Sequence, residues 1–522
     1  MNLKRKRFLS KDDIVWLMAV YLVFSFTFSL PYIVGALLTP PGEKYLGLIR
    51  ISDDLLIYLS WIQQIRDGNI FFVNLYNSEP QRYPFFSFFP LILGWLARML
   101  HISSLKALFL SRYLFSFVFI LLMYSFLSFI FNDKKVVKTG LLIVLFSSGI
   151  GWLTGGYSPM RGIENSVDLW QPEATVFFTS YVNPLHLFSL IFIVGFFYSL
   201  LRLKGIKGGI IAGLCLSVLA NAHSYDLIIL ASIWGIYIFI LWVWKESFPL
   251  NEVRNALIAL LVASPAMIYQ LLILFKDPIF SQRAKAPLPS PSFYWYLTGM
   301  GFLIPLAVWG IIKKVKEKRA DEILVFLATW AIAGFFLPYL PFPFQYKLFM
   351  GTQIPLAILS TMAITSLKVK GDVLPFLLPI LFLSNLVIIG NRIYTIALNG
   401  PGNLSYEELE SFRWLKENTP RSSTILAFPD FAIYIPAFTG RRVFAGHYIE
   451  TVDFRRKAME VIRFYLQDEN EKNKDFLKNN NIEYVYYGRY ERFLFPQFLK
   501  HNHSFLEIVF HQGNVRIFKV KK

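Results

Sequence analysis

Runs of about 20 apolar residues recur along this chain so often that no water-soluble core could absorb them all. They fall at 14–38, 107–131, 139–154, 176–201, 208–222, 227–244, 256–275, 293–312, 323–340, 348–367 and 373–389. Each is close to the length a helix needs to cross a hydrocarbon layer, and a bilayer leaves a spanning segment no other regular backbone except a closed barrel. The expectation is a mostly α, polytopic bundle of about eleven spans. With 55% of 522 residues hydrophobic, far more apolar surface is present than a soluble fold of this size buries.

The connections between the runs orient the bundle. Basic clusters lie at 4–11, 134–138, 202–207, 245–254, 313–319 and 368–370, in alternate connections. Because Lys and Arg accumulate on the cytoplasmic side, this places the N-terminus inside. It places 39–106, 155–175, 223–226, 276–292, 341–347 and everything after 390 outside. One more apolar stretch, 83–100, would invert every later loop if counted, so it is expected to lie in the outer interface. The first run is too long and lacks a small-residue cleavage site for a signal peptide, and reads as an uncleaved span. The formal charge of +18 is spent on these connections rather than on one folded face, so no nucleic-acid partner is implied. A single cysteine, Cys215, excludes an internal disulfide.

From about residue 400 the composition changes. An amphipathic helix at 407–418 and short β-like runs at 424–428, 442–445, 483–487, 505–510 and 515–520 alternate with helical stretches at 454–468 and 474–479. The expected organisation is a membrane domain at 1–399, with a long first outer loop at 39–106 carrying interfacial helices. An extracytoplasmic α/β domain follows at 400–522.

Ionisable residues in or beside spans are costly and so are candidates for function. Asp53 and Asp54 stand together after the first span, where acid/base chemistry can meet a lipid-borne substrate. Tyr58 follows Asp54 on the same helical face. Helix capping accounts for one acid and leaves the other for chemistry. Glu173 sits just outside a span with Asn183 and His186 inside it, and His223 and Asp226 share a tight turn, where a structural His–Asp hydrogen bond is an equal reading. Arg283, Lys285 and Lys347 are cations on the expected outer side, against the topological bias, and suit an anionic ligand such as a lipid phosphate. Zinc, EF-hand, P-loop, dinucleotide and GxSxG signatures are absent from the sequence.

The acidic pair in ISDDLLIYLSWIQQIRDGN, the Pro-opened interfacial helix in YPFFSFFPLILGWLARML and the arginine entering the second span, Arg112, together resemble the GT-C superfamily of integral membrane glycosyltransferases. That superfamily includes protein O-mannosyltransferases and the lipid A aminoarabinose transferase. The stretches FRWLKENTPRSSTILAFPDFAIYIPAFTGRRVFAGHYIET and NNNIEYVYYGR are similar to extracytoplasmic domains of prokaryotic members. The pair departs from the Asp-Glu form often seen in the superfamily, and the absence of a WWDYG motif argues against en bloc oligosaccharide transfer.

The resemblance implies a GT-C fold in a cytoplasmic membrane and a polyprenyl-phosphate sugar donor. The acceptor would be a glycan, lipid or protein. It implies Asp54 or Asp53 as the catalytic acid/base. Arg283, Lys285 and Lys347 would then neutralise the lipid phosphate, and Glu173, His186, His223, Asp226 and Tyr58 would position substrate. It requires no cofactor and leaves room for a divalent cation held by the Glu173, His186, His223 and Asp226 set. In TGRRVFAGHYIE, Arg441, Arg442, His447 and Glu450 are further candidates, with a structural loop the plainer reading. The competing classes are a transporter, flippase or polymerase of lipid-linked saccharides, and a receptor-like scaffold.

Overall fold

The structure is a computed structural model that describes residues 10–48, 52–79, 81–367, 374–400, 402–467, 469–501 and 503–521. The basic residues at 4–7 and 368–370 used for orientation lie outside the described residues. The chain groups into two compact units, one made of 1–34, 110–270 and 287–398 and the other of 35–109, 271–286 and 399–522.

Among the described residues nine helices are long and apolar enough to span a membrane, and ten if one bent pair counts as a single span. This corrects the expectation of eleven. The run at 293–312 is two helices, Phe293–Met300 and Leu303–Lys316, bent by 75° at a break carrying Gly301 with φ +46°. The run at 208–222 forms Ile206–Ala222, only 17 residues. At 1.5 Å per residue it rises about 25 Å, short of a hydrocarbon layer about 30 Å thick. It is joined to Pro184–Arg202 by three residues and packs along it as a hairpin. The stretch at 83–100 forms Phe88–Met99, a 12-residue helix too short to cross.

In the first unit, Leu303–Lys316 packs on Gln353–Ile364, and the absence of a side chain at Gly310 allows it: a Cβ there would lie 2.3 Å from the Leu359 carbonyl oxygen. The run at 176–201 is likewise interrupted. Pro184 cannot continue a preceding helix, so Val176–Val182 ends and Asn183 caps the next helix, accepting from the Leu185 N–H at 3.0 Å.

The second unit contains all seven strands assigned among the described residues: β1 (Glu43–Lys44), β2 (Leu404–Ser405), β3 (Thr424–Leu426), β4 (Arg442–Val443), β5 (Ile482–Tyr487), β6 (Leu506–Gln512) and β7 (Val515–Val520). β1 and β2 form a small antiparallel pair. The other five make a mixed sheet in the order β4-β3-β5-β7-β6, parallel around β3 and antiparallel around β7. Its core is aromatic, with Phe444, Phe464, Tyr465, Tyr487, Phe498 and Phe518 closing over the sheet. Helix Ser52–Arg66 belongs to this unit and buries every residue from Leu55 to Ile65. Its neighbour Phe88–Met99 approaches closely because Gly94 meets Ile65, where a Cβ would come within 2.6 Å of the isoleucine Cβ.

Candidate functional site

The second unit's site is built by stitching one segment of backbone to another. The residues after helix Ser52–Arg66 have no regular ladder of their own, so buried side chains satisfy them. Gln64 takes both backbone groups of Val73, each at 3.0 Å, and the Tyr76 hydroxyl donates to the Leu56 carbonyl at 2.9 Å. The same segment is then bound to 442–457. Arg442 donates to the Asn77 carbonyl at 2.7 Å, the Thr451 hydroxyl donates to the Tyr76 carbonyl at 2.6 Å, and the Val452 N–H donates to Asn77 Oδ1 at 3.1 Å. Lys457, almost wholly buried, pairs with Glu79 at 2.5 Å.

This stitching brings the loop Gly446–Thr451 to the first turn of Ser52–Arg66. Asp53 is exposed and Asp54 half-exposed there, where the helix dipole favours negative charge. His447 Nε2 lies 3.8 Å from Asp54 Oδ1. Glu450 is buried and accepts from Asn74 Nδ2 at 3.0 Å on Oε2, and its Oε1 pairs with Arg283 Nε at 3.2 Å. The Arg283 guanidinium also lies over Trp61, 5.4 Å from the ring centre. Its helix, Pro278–Lys285, is capped by Asp277, which accepts from Ile279 N–H at 3.0 Å on one oxygen and from the backbone of Arg82 and Tyr83 on the other. Lys285 ends that helix and is exposed. Burial holds the His447 imidazole below its ordinary pKa, so the ring is neutral at physiological pH. Burial, followed by the negative Asp53, raises the Asp430 carboxyl.

Of the other residues in this unit, Tyr58 is buried between Trp61 and Phe89, a packing position. Arg441 donates to the Lys416 and Thr419 carbonyls and closes the end of helix Tyr406–Asn418, a structural role. Asn74 and Asp430 were not anticipated from sequence. Nothing in NIFFVNLYN separates Asn74 from a loop asparagine, and Asp430 reads as an ordinary helix-start acid after Pro429.

The first unit holds a separate polar cluster. Lys347 Nζ lies 2.5 Å from Glu173 Oε1, and His186 Nε2 lies 3.6 Å from the same oxygen. His223 Nδ1 and Asp226 Oδ1 are 2.9 Å apart, and the His186 and His223 rings meet edge to face at 5.3 Å. All except Lys347 are buried, and Glu173 Oε2, His186 Nδ1 and Asp226 Oδ2 have no hydrogen-bond partner. These three atoms keep hydrogen-bonding capacity that no protein group uses. Sequence reasoning grouped Lys347 with Arg283 and Lys285; the structure assigns Lys347 to the first unit and the other two to the second. The expected ion-holding set is arranged as two pairs. Among the described residues no three His, Cys, Asp or Glu side chains converge as metal ligands.

Fold comparison defines the class first: the chain has the GT-C fold and is an integral membrane protein. No protein-family model and no curated protein sequence matches it. Among solved structures, it is similar to ArnT from Cupriavidus metallidurans bound to undecaprenyl phosphate, with TM-score 0.56 and 10% identity over 98% of both chains. It is similar to the archaeal oligosaccharyltransferase AglB from Archaeoglobus fulgidus in complex with an inhibitory peptide and a dolichol-phosphate. There the TM-score is 0.54 and the identity 12%, covering 95% of this chain and 72% of that one. A mycobacterial arabinofuranosyltransferase, AftD, matches with TM-score 0.54 and 12% identity over 99% of this chain and 40% of its own.

Proposed function

We propose that this protein is a membrane glycosyltransferase that moves a sugar from a polyprenyl-phosphate-linked donor to a glycan, lipid or protein acceptor at the outer face of the membrane. The observation that carries the reading is the accessible Asp53-Asp54 pair at the head of a buried helix, faced by His447 and by the Glu450–Arg283 pair. The donor class is supported by the fold shared with proteins bound to undecaprenyl phosphate and dolichol-phosphate.

In this reading Asp54, or its neighbour Asp53, accepts the proton of the acceptor hydroxyl as that oxygen bonds to the anomeric carbon. The bond between the anomeric carbon and the phosphate oxygen breaks, and the lipid phosphate leaves with the electron pair. Arg283 and Lys285 are assigned to the phosphate's developing charge. Glu173, His186, His223 and Asp226 are assigned to holding hydroxyl-rich substrate, which their unsatisfied atoms suit, with Tyr58 supporting the base's helix. The first 399 residues would form the membrane domain with the N-terminus inside, and 400–522 an extracytoplasmic domain.

The test is release of polyprenyl phosphate by purified protein from dolichyl-phosphate mannose, dolichyl-phosphate glucose and decaprenyl-phosphate arabinose. Wild type is expected to release lipid phosphate from at least one, and Asp54→Asn or Asp53→Asn to abolish it with donor still bound. No release from any donor, or full activity in both variants, overturns the proposal.

A further inference from the structure

We infer that His447 is a positioning residue for Asp54, donating the Nε2 proton to the carboxylate and setting which oxygen faces the acceptor. This rests on the reading of Asp54 as the base. The tautomer follows from the loop's backbone. His447 Nδ1 lies 3.1 Å from the Ile449 nitrogen and 3.3 Å from the Glu450 nitrogen. Backbone N–H groups only donate, so Nδ1 accepts from both, and a neutral ring must then carry its proton on Nε2. That Nε2 is buried and has no hydrogen-bond partner, while the Asp54 oxygen stands 3.8 Å away. An orphaned donor aimed at a part-exposed carboxylate closes to a hydrogen bond by a small rotation of the aspartate, which is the more exposed and freer of the two. The ring is held in place by stacking on Tyr448 at 4.8 Å. The charged groups acting on it are Asp54, Glu450, Asp53 and Arg283. Burial keeps the imidazole neutral among them, so it serves as a fixed single donor and not as a second base.

Two substitutions separate this role from a merely structural one. His447→Asn keeps an oxygen where Nδ1 stood, able to accept from the Ile449 and Glu450 N–H groups, and removes the donor at the ε position. His447→Gln does the opposite. With whichever polyprenyl-phosphate sugar supports turnover, His447→Asn is expected to lower kcat about 10- to 100-fold with KM within about twofold. His447→Gln is expected to retain kcat within about fivefold. A loop-building role predicts the reverse order. That reverse order, or equal losses in both variants, or wild-type kcat in His447→Asn, overturns the inference. Full activity in Asp54→Asn instead defeats the base assignment itself, whatever the His447 variants do. Nitrogen-15 histidine spectra of the protein in nanodiscs give an activity-independent reading, with the His447 signal identified by its loss in His447→Asn. Nε2 is expected to carry the proton and its resonance to move in Asp54→Ala. A proton on Nδ1, or an unmoved Nε2 resonance, also overturns the inference.

Discussion

In the first unit the carboxylate of Glu173 is sealed from solvent, with Lys347 14% exposed beside it, whereas in the second unit Asp54 keeps 37% of its side chain open over a buried His447. The residue types are nearly the same in both clusters: acids and a paired cation in each, with two histidines in the first and one in the second. Their wiring differs. Lys347 and Glu173 satisfy one another's charge inside the bundle, so removing Lys347 leaves the Glu173 carboxylate buried without its cation. In the second unit the buried acid, Glu450, takes Arg283 and Asn74 as partners, and Asp54 stays part-exposed. One cluster is therefore closed on itself, and the other leaves a carboxylate part-exposed to solvent.

The largest expected effect breaks the second cluster with little change in stability. Asp54→Asn should lower kcat by about 10²- to 10⁴-fold, the range for a lost general base. It should alter unfolding by only about 0.3–1 kcal/mol, the worth of a first-turn helix charge. Turnover assays and thermal unfolding of the same preparation check both halves. Lys347→Met should behave oppositely, destabilising the first unit by about 3–5 kcal/mol because Glu173 is left buried without its cation. A melting temperature equal to wild type would show that the pair is not the structural element its burial indicates. Gly310→Ala and Gly94→Ala sharpen the comparison at the level of packing. Each should cost about 1–3 kcal/mol from overpacking. Gly310→Ala should cost more, since its Cβ would lie 2.3 Å from the Leu359 carbonyl oxygen, against 2.6 Å from the Ile65 Cβ and 3.0 Å from the Ile62 carbonyl oxygen at Gly94.

A pH dependence confined to the second unit is of similar size. Glu491 is buried against the Phe428 and Gly488 N–H groups, and burial pushes its carboxyl up to about 7 from an ordinary 4.5. Between those values the folded protein holds a proton that the unfolded chain releases, so stability is highest below about pH 4.5 and declines as pH rises to about 7. The contribution is about 3 kcal/mol at most. Glu491→Gln should flatten this part of the curve in chemical denaturation measured at pH 5 and pH 8.

Periodicity and run length carried most of the architecture because both are local properties. Nine of the eleven apolar runs contain a segment long and apolar enough to span, the run at 176–201 only from Pro184 onward, and strands formed near each β-like run in the C-terminal segment. The two exceptions had local causes, a bend at Gly301 and a helix one turn or more short, which hydropathy does not resolve. The acidic pair was equally legible, since two adjacent carboxylates after a span stand out in any reading. His447 and Glu450 were visible in GHYIE but indistinguishable from an ordinary loop, because their meaning depends on residues more than 370 positions away.

Chain order thus established a many-helix membrane protein with a sheet-bearing C-terminal segment and an acidic pair after its first helix. Hydrophobic length and charge placement are written residue by residue. Only the folded chain decided that Arg283 pairs with Glu450, that Lys347 pairs with Glu173, and that His447 faces Asp54. Those partners meet only when segments far apart in sequence fold together, and no pattern of neighbouring residues encodes such a choice.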